Sequence, residues 1–135
     1  MKVMLIQPVP PAGHWPRGLF RSHWVPTGLA SIAAVLRAAG CDVRLHVREQ
    51  RLCRLGMDRA AAEAELKAEL ESFGPELVGL SVMTPHLPEA AQIAALARQV
   101  LGDSAMIVAG GVHPSAMPAQ TLDYCPAVDA AVVGE

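Results

Sequence analysis

Hydrophobic residues occur in five short runs along the chain, separated by segments in which apolar and polar residues recur with a helical period. Continuous runs such as Lys2 to Gln7 and Leu77 to Met83 are typical of parallel strands covered by helices on both faces. The run from Asp42 to Arg48 instead alternates, which predicts a half-exposed strand at a sheet edge with His46 facing solvent. The remaining two strands are predicted from Met106 and over Val128 to Val133.

Between the strands, apolar residues lie three and four positions apart, as on helices with one buried face. Thr27 can cap the first helix, which ends before Gly40. Further helices are predicted from Asp58 to Gly74, from Pro88 to Gly102 and, as a short helix or turn, over Met117 to Cys125. Strands that alternate with helices through right-handed crossovers predict an α/β fold with a five-stranded parallel sheet.

Composition narrows the possible partners of this fold. A length of 135 residues suits one domain, and a net charge of −2 gives no support for nucleic-acid binding. Five arginines lie within a short segment in the middle of the chain. The simpler interpretation is that they form a solvated edge and loop, and the alternative is that they bind phosphate. They are Arg44, Arg48, Arg51, Arg54 and Arg59.

The number and spacing of the cysteines and the hydropathy of the chain indicate the cellular compartment of the protein. Cys41, Cys53 and Cys125 are odd in number and widely spaced, which indicates neither a disulfide framework nor a zinc site. No apolar run approaches the ~20 residues that span a bilayer. We therefore expect a cytoplasmic protein without a membrane partner.

The segment AMIVAGGVHPS, Ala105 to Ser115, suggests where a ligand binds. Its strand ends at Gly110 and Gly111, and the carboxyl ends of parallel strands border the crevice in which open α/β sheets bind ligands. Glycine lets a flat or bulky group approach the main chain, although a tight turn explains an isolated Gly-Gly pair as well. Ser81 and Thr84 place hydroxyls at the same edge. The long aromatic loop from Val9 to Pro26 is predicted to be functional.

Several common α/β sites are excluded by their missing motifs. The chain has no G-x-G-x-x-G, no G-x-x-x-x-G-K-[ST] and no G-x-S-x-G, and its third strand ends in Ser-Val-Met-Thr without an acidic phosphoacceptor. No catalytic residue and no metal ligand is predicted. What remains is a wide crevice with few reactive groups.

Five segments in order resemble the N-terminal cobalamin-binding domain of the B12-dependent radical SAM enzymes. They are KVMLIQP at 2–8, PTGLA with VLRAAG between 26 and 40, LVGLSVMT at 77–84, VAGGVHPS at 108–115 and VDAAVVGE at 128–135. The resemblance implies a flavodoxin-like (Rossmann-like), doubly wound sheet with strand order 2-1-3-4-5. It also implies cobalamin at the carboxyl ends of the strands and a catalytic barrel after Glu135.

The resemblance also implies roles for single residues. Ser81 would meet the dimethylbenzimidazole tail of cobalamin, Thr84 would help to hold its sugar or phosphate, and Gly110 and Gly111 would pack against the tail. Gly111→Leu is then expected to abolish binding without unfolding the domain. The remaining expected contacts are Val112, His113 and Pro114 as the channel wall, Pro8, Pro10 and Met83 facing the corrin, and Gly134 with Glu135 at the exit to the next domain.

The lower face of the cobalt is expected to lack a histidine ligand. The D-x-H-x-x-G motif of other cobalamin carriers is absent, because around His14 the chain has Ala12 and Arg17 in place of Asp and Gly. His14 and His23 remain the alternatives, whereas His86 is predicted to cap a helix or face solvent.

Catalysis is expected to need more than these residues. The three cysteines cannot form the C-x-x-x-C-x-x-C that holds the [4Fe-4S] cluster of a radical SAM barrel. Residues 1–135 are therefore predicted to be the cofactor domain of a longer enzyme that also binds S-adenosylmethionine, most simply a methyltransferase using methylcobalamin. The alternatives are a free-standing corrinoid carrier or sensor, and a flavodoxin-like scaffold for another phosphate-bearing ligand.

Overall fold

The computed structural model describes residues 1–11 and 26–134, in which five parallel strands form one sheet. The strands are β1 (Lys2–Gln7), β2 (Asp42–Val47), β3 (Leu77–Ser81), β4 (Met106–Gly110) and β5 (Ala130–Ala131). Their order, β2-β1-β3-β4-β5, confirms the flavodoxin-like topology. Most of the aromatic loop, His14, His23 and Glu135 lie outside the described residues.

Six α-helices connect the described strands. They are α1 (Thr27–Ala38), α2 (Arg48–Arg54), α3 (Arg59–Phe73), α4 (Leu87–Leu101), α5 (Val112–Ala116) and α6 (Pro118–Tyr124). The Asp58 carboxylate caps α3 by accepting from the backbone N–H of Ala61 at 3.0 Å. Thr27 is the first residue of α1 and its side chain makes no cap bond, so its predicted capping role was wrong. No helix of the described segments is long and apolar enough to cross a membrane.

Both faces of the sheet are covered, which explains why β1 is continuously apolar. Met4 and Ile6 pack in the larger core with residues of α3 and α4, whereas Val3 and Leu5 pack on the opposite face with residues of α1. Successive side chains of a strand point to opposite faces, so burial on both sides requires apolar residues at every position.

The strand β2 lies at the sheet edge with Asp42 and Arg44 exposed, as predicted, but its polar face is covered at the carboxyl end, which contradicts the predicted exposure of His46. His46 is 0% exposed and its Nδ1 lies 2.7 Å from the Glu69 carboxylate on α3. Burial lowers the pKa of His46, and the bond to Glu69 opposes that shift. Arg48, predicted on the exposed side of this edge strand, is buried at the start of α2. Alternation shows which residues share a face, but it does not show whether a helix lies over that face.

The amino-terminal edge of the sheet carries a paired carboxylate. Asp129 accepts from the backbone N–H of Ile107 and from the Arg98 guanidinium, both at 2.7 Å. These bonds, first of all the one from Ile107, lower the pKa of Asp129. The ion pair joins α4 to the residue before β5, and the hydrogen bond from Ile107 joins that residue to β4.

The three thiols differ in exposure. Cys53 is exposed on α2, Cys41 is half-buried and Cys125 is buried. Burial raises the pKa of the Cys125 thiol, which therefore stays protonated and weakly nucleophilic. All three thiols are free.

Candidate functional site

The carboxyl edge of the sheet brings together the residues singled out in the sequence. Ser81 at the end of β3 is aligned with Gly110 at the end of β4, and the Val82 N–H donates to the Gly110 carbonyl at 2.8 Å. Gln7 ends the neighbouring strand β1. The predicted juxtaposition of the third and fourth strand ends is therefore present.

The two glycines at this edge serve different purposes. At Gly111 the backbone has φ +105, and an added Cβ would lie 3.1 Å from the Val82 carbonyl oxygen and 3.2 Å from the Val82 nitrogen. At Gly110 an added Cβ would meet only Val132, at an ordinary 3.6 Å. The turn thus requires glycine at 111, whereas the bare backbone at 110 is not required by packing.

Gly111→Leu is consequently not the clean test of binding that the sequence suggested. Its side chain would strain the backbone and press on Val82, so a loss of binding would not separate a blocked channel from a distorted turn. A substitution at Gly110 avoids that ambiguity.

His113 lies in α5, directly after the turn at Gly111, and contacts Thr84. It is buried at the start of α5, and its Nδ1 is 3.2 Å from the Thr84 hydroxyl. Its Nε2 is buried and has no hydrogen-bond partner among the described residues. The Thr84 hydroxyl therefore faces His113, and Thr84 itself is exposed.

A cleft of about 150 Å³ opens between the start of α1 and the ends of β1 and β3. His86 lines it, although the side chain is only 6% exposed and makes no cap bond, so the predicted capping or solvent role was wrong. Burial lowers the pKa of His86, and a hydrogen bond to the Ser81 backbone opposes this shift. The other lining residues are Gln7, Pro26, Thr27, Gly28, Leu29, Ser81 and Met83.

Apolar side chains surround this edge and remain exposed. Val112 is 72% exposed and Met83 44%, and Val132 and Val133 after β5 are also exposed. Such a group of apolar side chains beside a cleft is typical of a surface that a ligand or partner covers.

The other predicted contacts are less accessible. Pro8 and Pro114 are buried, and Pro10 is half-buried. Gly134 is exposed, and its N–H donates to the Ser115 hydroxyl at 3.1 Å.

Comparison with known proteins identifies this arrangement. The family model of the B12 binding domain matches residues 17–135. The chain belongs to the B12-binding domain family. The match confirms the resemblance to a cobalamin-binding domain that the sequence segments indicated.

Two curated relatives resemble this B12-binding domain along most of its length. An uncharacterized methyltransferase of Pyrococcus horikoshii is 26% identical over 135 residues, covering 100% of this chain and 27% of the relative. The anaerobic magnesium-protoporphyrin IX monomethyl ester cyclase of Rubrivivax gelatinosus is 27% identical over 113 residues, covering 84% of this chain and 19% of the relative. The chain thus spans about a quarter or less of either relative.

The residues at the edge of the B12-binding domain suit a large cofactor with apolar and polar parts. Gly110 leaves the end of β4 without a side chain although a side chain would fit, and exposed apolar residues surround it. Ser81 and Thr84 supply hydroxyls. The 150 Å³ cleft can take only a part of such a ligand. Among the described residues no three His, Cys, Asp or Glu side chains are grouped so that they could hold a metal ion.

Sequence reasoning missed the contributions of Gln7, Thr27 and His86 to the cleft. Each was assigned to an element, but the chain carries no signal that the start of α1 lies against the ends of β1 and β3. Only the assembled sheet brings these residues together.

Proposed function

We propose that this B12-binding domain holds cobalamin at its carboxyl edge, with the nucleotide tail of the cofactor against Ser81 and Gly110. The observation that carries the proposal is the bare strand end at Gly110, which packing does not require, beside the hydroxyl of Ser81. The Ser81 hydroxyl can hydrogen-bond a polar group of the tail. Thr84, oriented by His113, can hold a sugar or phosphate oxygen.

The apolar residues of the edge would exclude water from the bound cofactor. Met83 and Val112 are exposed in the chain alone, and their burial against a corrin would contribute favourable transfer free energy. Methylcobalamin, when bound, supplies a transferable methyl group. The domain itself would orient the cofactor for that transfer.

We propose further that no histidine of the described residues ligates the cobalt. His46, His86 and His113 are buried, and each has a contact to a neighbouring side chain or backbone group. An electron paramagnetic resonance spectrum of the bound cob(II)alamin tests this, because a nitrogen ligand on the lower face splits the signal. A nitrogen splitting that disappears in His46→Ala, His86→Ala or His113→Ala would refute the proposal.

Titration with hydroxocobalamin tests binding directly. We expect a shifted visible spectrum and cofactor that remains bound after desalting. Gly110→Leu should lower the affinity at least about tenfold, since its side chain occupies the tail position, whereas Met106→Leu, at the opposite end of the same strand, should bind as the unmodified chain does. An unchanged spectrum at saturating cobalamin would refute the proposed function.

We also propose that the domain serves a radical SAM catalytic barrel in the same polypeptide, with its own [4Fe-4S] cluster and S-adenosylmethionine. The small share of both relatives that the chain covers, and the word methyltransferase in the name of one, support this. A C-x-x-x-C-x-x-C encoded after Glu135, and formation of 5'-deoxyadenosine by the longer protein, are the expected results. A stop codon directly after Glu135 would instead favour a free-standing corrinoid carrier.

A further inference from the structure

A buried ion cluster lies behind the carboxyl edge, outside the residues assigned to the cofactor. Its centre is Glu89 near the start of α4, which is only 4% exposed. One carboxylate oxygen, Oε2, accepts from the backbone N–H of Val9 at 2.5 Å. The other, Oε1, lies 3.2 Å from Arg48 Nη2 and 3.3 Å from Arg59 Nη1.

The two arginines continue the cluster in different directions. Arg48 Nη1 donates to the carbonyl of Ala62 on α3 at 2.8 Å, which fixes the guanidinium in the core. Arg59 Nη2 donates to the carbonyl of Pro10 at 3.0 Å. Two consecutive backbone positions after β1, the N–H of Val9 and the carbonyl of Pro10, are therefore held by charged side chains from α3 and α4.

Stability alone is a poor explanation for this arrangement. A buried ion pair is often no more stabilising than apolar side chains of the same volume, because both charges lose their hydration. Here the charges meet at a segment with no regular secondary structure, 8–11, which continues from β1 at the carboxyl edge. Hydrogen bonds to charged groups are directional and short, so they fix the path of that segment more tightly than apolar contacts do.

We infer that Glu89, held by Arg48 and Arg59, is a positioning residue that fixes Val9 and Pro10 for cobalamin binding. The inference rests on the proposed function, since it takes the segment after β1 to face the cofactor. It predicts that cobalamin affinity depends on a carboxylate that does not touch the cofactor.

The test compares variants of the 135-residue chain by hydroxocobalamin titration. Glu89→Gln removes the charge and one acceptor, and Arg59→Met, at a partly exposed position, removes only the bonds to Glu89 and Pro10. We expect Glu89→Gln to weaken binding at least about tenfold and Arg59→Met about threefold. Arg59→Lys should restore part of the affinity. Hydrogen exchange at the Val9 amide, the one N–H of the segment 8–11, should become faster in Glu89→Gln, while exchange in β3 and β4 stays slow.

Asp129→Asn is the matched control. This carboxylate also accepts a backbone N–H and pairs with an arginine, but it lies at the amino-terminal edge. The Asp129→Asn variant should be less stable than the unmodified chain but should bind cobalamin with the same affinity. If Glu89→Gln and Arg59→Met bind like the unmodified chain, or if Asp129→Asn loses as much affinity as they do, the inference is wrong. If the unmodified chain binds no cobalamin, the proposed function fails as well. Should Glu89→Gln not fold, Arg59→Met and Arg59→Lys decide the question.

Discussion

Gly110 and Gly111 are adjacent glycines, but glycine occurs at the two positions for different physical reasons. The turn after β4 needs a positive φ at Gly111, and the backbone of Val82 leaves no room for a side chain there. Gly110 is in ordinary strand conformation with space beside it. The sequence around the two glycines cannot predict this difference, because the difference depends on how closely β3 and β4 approach each other.

Alanine substitutions at the two positions should therefore separate folding from binding. Gly111→Ala should lower the free energy of unfolding by about 1–3 kcal/mol, the cost of a strained backbone conformation. Gly110→Ala should change it by less than about 1 kcal/mol, because glycine is itself unfavourable in a strand. Urea denaturation followed by circular dichroism measures both. Equal losses at the two positions would contradict the assignment of the turn constraint to Gly111.

At the level of single elements, β2 shows what a periodic pattern can and cannot reveal. The alternation from Asp42 to Arg48 correctly predicted a strand, observed over Asp42–Val47, and its place at the sheet edge. It also suggested a solvated polar face, yet α2 and α3 follow and bury His46 there with Glu69 as its partner. The arginine-rich segment after β2 has weak apolar periodicity, so α2 was not predicted from it.

The buried histidines should make stability depend on pH. Burial lowers the folded-state pKa of His46 and of His86, so the unfolded chain takes up protons first as the pH falls. The stabilisation that these two neutral histidines contribute is complete above about pH 6.5, the pKa of histidine in the unfolded chain. It is lost as the pH falls below that value toward their lowered folded-state pKa values. Thermal unfolding midpoints should thus decrease between about pH 7 and about pH 5.5.

His86→Gln provides the comparison for that pH profile. It removes one of the two titrating rings, so its midpoint should fall less steeply over the same interval. Asp129 cannot produce the effect, because its pKa is shifted below the ordinary carboxyl range and it titrates at lower pH. A profile as steep in His86→Gln as in the unmodified chain would show that His86 contributes nothing.

For the whole molecule, the alternation of strands and helices was enough to predict a parallel sheet. The strand order came from the resemblance to cobalamin-binding domains, since sequence periodicity does not specify which strands are neighbours. The ion cluster around Glu89 was not predictable. Its members Val9, Arg48 and Glu89 are far apart in the chain and meet only after the helices pack.

The sheet should unfold as one unit although it has a core on each face. Leu70 belongs to the larger core and Leu29 to the smaller one, and both are buried. Truncation to alanine at either position should cost about 2–5 kcal/mol. Circular dichroism and hydrogen exchange should report a single transition for both variants. Separate transitions for the two faces would contradict a single cooperative unit.

The unequal exposure of the three thiols makes the native chain suitable for selective labelling. A maleimide dye should react first at Cys53, which is exposed on the short helix that begins with Arg48, while Cys125 is shielded in the core. No cysteine needs to be introduced or removed. A fluorophore attached there would report from the helix that carries one arginine of the ion cluster, so that local loosening around Arg48 could be followed as cobalamin is added.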